Sequence, residues 1–183
     1  MRDTMKFSFS QAIVFAQVDK IILTLCATCL LPLVVHALSV SNATALGEIW
    51  LPIFYAPLLA MIWCRPHVAL FAAMLAPTIN RLVLGLPVVM MQRILTLELM
   101  VFVGVLYLLL RGEKFFILAP LAAYAIARFC AVAAFQILPG NMAWTNAMAF
   151  FSHSLFNSLP GLAVLTLLVI WAQRTKKFFY AGN

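Results

Sequence analysis

The chain has 183 residues, 66% of them apolar and only 9% charged, whereas a soluble domain averages roughly 45–50% apolar and about 25% charged. So few polar groups cannot cover the surface of a soluble fold this size, which excludes a soluble enzyme, a nucleic-acid-binding domain and a disordered chain. The formal net charge of +7, from 12 Lys+Arg against 5 Asp+Glu, sits at the ends of apolar runs, where membrane topology uses it.

Long unbroken apolar runs are not the period-two pattern of barrel strands. The expected fold is therefore an all-α integral membrane protein, a six-transmembrane-helix bundle in one domain. Residues 1–20 form a polar leader, either a frayed cytoplasmic terminus or an interfacial helix with Phe7, Phe9, Ile13 and Val14 inserted. It lacks the small-residue cleavage site of a signal peptide. A bilayer core of roughly 30 Å takes about 20 helical residues, and the membrane domain, 21–172, divides into spans at 21–38, 50–63, 67–84, 94–110, 115–138 and 150–172. The second is short and marked by Pro52 and Pro57, with a possible start near Leu46. Residues 173–183 are a basic tail.

Basic residues choose the orientation. Arg2, Lys6, Lys20, Arg65, Arg111, Lys114, Arg174, Lys176 and Lys177 all fall on one side of this topology, while Arg93 and Arg81 lie toward the other. The positive-inside rule then makes both termini cytoplasmic. The inner connections, 64–66 and 111–114, read as tight turns, and the outer ones, 39–49, 85–93 and 139–149, as longer loops. Long loops on one face usually carry function, which places a ligand site on the outer side.

Ionisable groups inside a bilayer are costly, face the bundle interior and tend to mark function. Asn80 and Arg81 in span three, Glu98 in span four, Arg128 and Gln136 in span five, and His153 and Asn157 in span six converge on one outer layer. Glu98, the one acid inside a predicted span, needs Arg81 or Arg128 as a partner. These seven residues form the expected substrate-binding set, together with Tyr55 and Trp144, the two outer-half aromatics with the more useful polar handles. A pure Glu98–Arg128 staple is the structural alternative. The four cysteines, Cys26, Cys29, Cys64 and Cys130, read as buried thiols.

No phosphate-binding Gly-x-x-x-x-Gly-Lys loop, His-Glu-x-x-His or Gly-x-Ser-x-Gly occurs. No carboxylate pair is evident for acid–base chemistry, so no enzymatic activity and no cofactor are expected. No inverted repeat with broken helices, the mark of a self-sufficient secondary transporter, is visible.

The stretch 51–110 nonetheless resembles the S components of energy-coupling factor (ECF) vitamin transporters. The residues that carry the likeness are Leu51-Pro52-Ile53, Ala76-Pro77-Thr78-Ile79-Asn80-Arg81-Leu82, Gly85-Leu86-Pro87, Leu97-Glu98-Leu99 and Gly104, followed by Phe156-Asn157-Ser158-Leu159-Pro160-Gly161-Leu162 in span six. The resemblance implies a six-helix bundle in the bacterial cytoplasmic (inner) membrane that binds one vitamin near its outer surface. It also implies a partner membrane scaffold and an ATPase pair that supply the energy, with cargo released inside as the bundle reorients. Span one departs from the family's Ala-x-x-x-Ala pair and offers Thr24, Ala27 and Thr28 instead.

Among vitamins, a cobalamin-type corrinoid is the first expectation, with His153 as a possible cobalt ligand. The cobalamin branch carries a cysteine near the outer end of span three, and 76–80 has none. Haem, pyridoxine-like and thiamine-like ligands share the remaining expectation. The rival reading is a non-transporting scaffold of the rod-shape (cell-wall morphogenesis) type, which binds partner proteins.

Overall fold

The computed structural model describes residues 2–37, 46–85, 89–111, 117–137 and 144–181, without the side chains of 2–17, 36, 84, 90, 137, 144–145 and 176–181. These residues form eight helices in chain order: α1 (Arg2–Ala37), α2 (Leu46–Trp50), α3 (Pro52–Trp63), α4 (Pro66–Leu84), α5 (Val89–Arg111), α6 (Ala119–Ile137), α7 (Trp144–Asn157) and α8 (Leu159–Ala181). No strand occurs among them.

Helix α3 is the pillar of the bundle. It packs against α1, α4, α5 and α8, and half of the apolar stretch Leu46–Trp63 is buried, against 11% of Val18–Val35 in α1. Phe54 stands at its centre, edge-on to Phe102 of α5 (centroids 4.9 Å apart) and to Tyr124 of α6 (5.5 Å). Such pairs contribute about 0.5–1.5 kcal/mol each beyond the area they bury. Ala119, Ala123, Ala127 and Ala131 of α6, spaced by four, are each at most 2% exposed. Small residues at that spacing let helix backbones approach closely, and α6 lies along α5.

Four helical stretches are long and apolar enough to cross a membrane: Val18–Val35, Leu46–Trp63, Met91–Arg111 and Ala119–Gln136. The pair Asn146–Asn157 and Leu159–Thr175 counts as a fifth if a bent pair is one span. The protein is thus a multi-pass helical membrane protein. The expected third span forms α4, 19 residues long, where His67, Asn80 and Arg81 dilute the apolar sequence.

Two spans read as continuous are broken. The second divides at Leu51, whose φ of 52° is left-handed and rare for a bulky residue. Pro52 follows at the first position of α3, where its missing N–H is tolerated. The sixth divides at Ser158 with a 54° bend, because Pro160 fits the first turn of a new helix but not the interior of an old one. The expectation that no inverted repeat with broken helices is visible is corrected as to the breaks alone.

The helix ends also revise the loop argument. Helix α5 starts at Val89, which draws Gln92 and Arg93 into a helix, and α6 starts only at Ala119. Four residues separate α4 from α5 and seven separate α5 from α6, so connection length does not distinguish the two ends as expected. Helix α1 runs unbroken through residues 2–20, so the leader continues the first helix.

Candidate functional site

The most polar part of the interior lies toward the ends of the bundle where α2 and α5 begin and α6 finishes. Arg128 is its hub. One terminal nitrogen, Nη1, donates to both carboxylate oxygens of Glu98 at 3.3 and 3.1 Å, and Nη2 donates to Glu48 at 3.1 Å. The side chains of Glu98, Arg128 and Glu48 are 3%, 16% and 34% exposed. The cluster is thus closed on the α5 side and opens toward Glu48. Phe150 of α7 covers the guanidinium, its ring centroid 5.2 Å from Cζ.

A lone carboxylate at the depth of Glu98 would be expensive, and the bifurcated contact from Arg128 Nη1 offsets that cost. The cluster still holds two carboxylates against one guanidinium. Two buried donors in this part of α6 also have no partner among the described residues, Arg128 Nε and, two turns on, Gln136 Nε2. Buried donors are normally satisfied, so unpaired ones call for an explanation.

Of the residues singled out from sequence, the structure joins Glu98 to Arg128. It sends Arg81 elsewhere: Nη1 donates to Gln92 Oε1 at 3.1 Å, and Gln92 Nε2 donates to Thr78 Oγ1 at 2.9 Å. Asn80 is buried beside this chain in α4. The Tyr55 hydroxyl donates to the carbonyl of Trp50, a group set free by the break at Leu51. His153 lies exposed on α7, its Nδ1 at 3.1 Å from Asn157 Nδ2. If the amide nitrogen donates, the imidazole keeps its proton on Nε2. Neither His153 nor Asn157 is a partner of the cluster. Trp144 opens α7, and its side chain lies outside the described residues.

Sequence reasoning missed Glu48, Gln92 and Thr78. Glu48 falls in the expected outer loop 39–49, and an arginine already matched by Glu98 gives no cause to seek a second acid. Gln92 falls before the expected start of span four at 94.

The two broken spans meet beside Glu48. A Cβ at Gly161, in the first turn of α8, would lie 2.7 Å from the carbonyl oxygen of Ile49 and 2.7–2.8 Å from the carbonyl atoms of Trp50. Only glycine permits that approach. Buried Tyr124 lies one turn before Arg128 on α6, edge-on to Phe54 of α3.

Thr24 and Thr28 of α1 are 8% and 0% exposed, and each hydroxyl donates to the carbonyl four residues back at 2.7 Å. This face is therefore used inside the chain, against α3 and α4, and is not presented to a partner helix. Cys26 is exposed rather than buried, and all four cysteines are free. Among the described residues no group of three or more His, Cys, Asp or Glu side chains is arranged to hold a metal ion.

No family model matches the chain, and no curated protein or solved structure is detectably similar to it.

Proposed function

We propose that this chain is a membrane-embedded solute-binding subunit for uptake of a vitamin-class micronutrient, of the energy-coupling factor S-component type. In this reading α4 completes six crossings and both termini are cytoplasmic in a bacterial inner membrane. The ligand sits at the outer end around Glu48, Arg128 and Gln136. It is released inside by reorientation of the bundle, with energy from a scaffold subunit and an ATPase pair. The scaffold subunit would meet the exposed face of α1 that carries Ile22, Leu23, Leu30 and Val34, since Thr24 and Thr28 are turned inward.

One observation carries this reading: the cluster is over-supplied. A structural staple would balance one carboxylate against one guanidinium and leave no donor idle. Here an additional carboxylate and Arg128 Nε, which has no partner among the described residues, leave capacity for a ligand bearing both a cationic or donor group and an acceptor, and Gln136 Nε2, eight residues on in α6, is a second such donor. A corrinoid is worth testing first because its colour reports binding, but exposed His153 offers it no interior cobalt ligand. The competing scaffold reading draws support from the Arg81–Gln92–Thr78 chain, where polar groups satisfy one another with no ligand.

The test is native mass spectrometry and absorbance of the full chain in mild detergent, incubated with a panel of vitamins. Glu48→Gln and Gln136→Leu are better probes than Arg128→Ala, which strips Glu98 of its partner and unfolds either kind of protein. A bound vitamin that both variants release, with thermal stability kept, supports the proposal. A clean apo mass across the whole panel supports the scaffold instead.

A further inference from the structure

The end of the bundle opposite the ion cluster contains a cleft of about 200 Å³. Met61 of α3, Pro66 of α4, Tyr107, Leu110 and Arg111 of α5, and Gln173 of α8 line it. Arg111 lies thirteen residues beyond Glu98 on α5, about 20 Å along the helix axis, so this cleft is separate from the site above. Small-molecule sites usually offer roughly 300–1,000 Å³. The space suits a headgroup-sized fragment, not a corrinoid.

Its chemistry is cationic above and apolar below. The Arg111 guanidinium lies 5.1 Å from the centroid of the Tyr107 ring. Both ion pairs found among the described residues belong to Arg128, so Arg111 meets no carboxylate among them. Glu113 falls outside the described residues. Exposed Arg65 and Arg174 stand next to Pro66 and Gln173 in the chain and add positive charge at this end. Met61 and Leu110 supply the apolar wall.

Two tryptophans fix the depth. Trp63 and Trp171, 44% and 52% exposed, meet edge to face at 5.1 Å, each two residues from a side chain of the cleft. Indoles on a lipid-facing surface settle at the level of the headgroups.

We propose that this cleft binds the phosphodiester headgroup of an anionic phospholipid from the leaflet that the basic ends face. Arg111 offers its fork of donors to the phosphate oxygens, and Tyr107 and Gln173 donate to phosphate or glycerol oxygens. The acyl chains leave over Met61 and Leu110. The inference stands apart from the vitamin reading, because a scaffold protein would carry the same cleft.

The experiment reconstitutes the full chain in nanodiscs of phosphatidylcholine with increasing phosphatidylglycerol, and native mass spectrometry counts the lipids retained on release. Wild type is expected to keep phosphatidylglycerol in preference to phosphatidylcholine. Arg111→Ala should weaken that retention about fivefold, the effect of one basic residue at a membrane surface. Gln173→Leu should weaken it less, and Arg93→Ala, at the other end of α5, should leave it unchanged. Equal retention of the two lipids overturns the proposal, as does an Arg111→Ala protein of unaltered melting temperature that holds phosphatidylglycerol like wild type. Displacement of the lipid by a matching concentration of inorganic phosphate also overturns it, in favour of a free-phosphate site.

Discussion

Arg128 and Arg111 are a natural pair for comparison. Each guanidinium lies just over 5 Å from the centroid of an aromatic ring, Phe150 in one case and Tyr107 in the other. Their surroundings differ in kind. Arg128 is mostly buried and bound to two carboxylates, whereas Arg111 is exposed and has no carboxylate among the described residues. The ring contact is therefore not what decides the role of an arginine in this bundle. Desolvation does: a buried guanidinium is held by the acids it neutralises, and an exposed one keeps its charge available to lipid.

Substitutions at the two ends should separate these roles. The largest effect is expected from Arg128→Ala, which leaves Glu98 buried without its partner. Such losses cost about 3–5 kcal/mol, and thermal unfolding in detergent would register a large drop. Adding Glu98→Ala to that variant should restore part of the stability. A full loss that is unchanged in the double variant would show that Arg128 holds the bundle through packing alone.

Next comes Gly161→Ala. The new methyl meets backbone carbonyl atoms of Ile49 and Trp50, which cannot swing aside as a side chain could. Overpacking of this kind costs about 1–3 kcal/mol, and the same melts would read it. An unchanged melting temperature would mean that α8 can withdraw from the break at Leu51 without loss.

Glu48→Gln should cost less, roughly 1 kcal/mol or below, because Glu48 is a third exposed and Arg128 keeps Glu98. A drop as large as that of Arg128→Ala would make Glu48, not Glu98, the principal anchor. The smallest effect is expected at the other end. Arg111→Ala should shift stability in neutral lipid by no more than about 0.5 kcal/mol, and any larger loss would mark it as a structural residue.

The comparison also explains what the sequence made legible. Glu98 stands alone in a long apolar run, so the cost of burying it called for a basic partner, Arg81 or Arg128, and the structure decides for Arg128. Glu48 gave no such warning. It precedes a short, proline-marked run, and only the left-handed turn at Leu51 makes α2 the first half of that span. Pro160 was visible too, but one proline near a helix start does not tell a cap from a kink. The Arg81–Gln92 contact depended on where α5 begins, and an amphipathic first turn hides that boundary. Unpaired donors such as Gln136 Nε2 have no sequence signature, because satisfaction is a property of neighbours. The cleft beside Arg111 is likewise made by four helices at once.

The second crossing has a consequence for the membrane itself. Leu46–Trp63 is 18 residues long, at most about 27 Å even if it were one unbroken helix, against a hydrocarbon layer of roughly 30 Å. A crossing that falls short is accommodated by thinning the bilayer around it, at a fraction of a kcal/mol per Å. Thinning of the bilayer beside α2 would bring water closer to the Glu48 carboxylate than helix count alone implies.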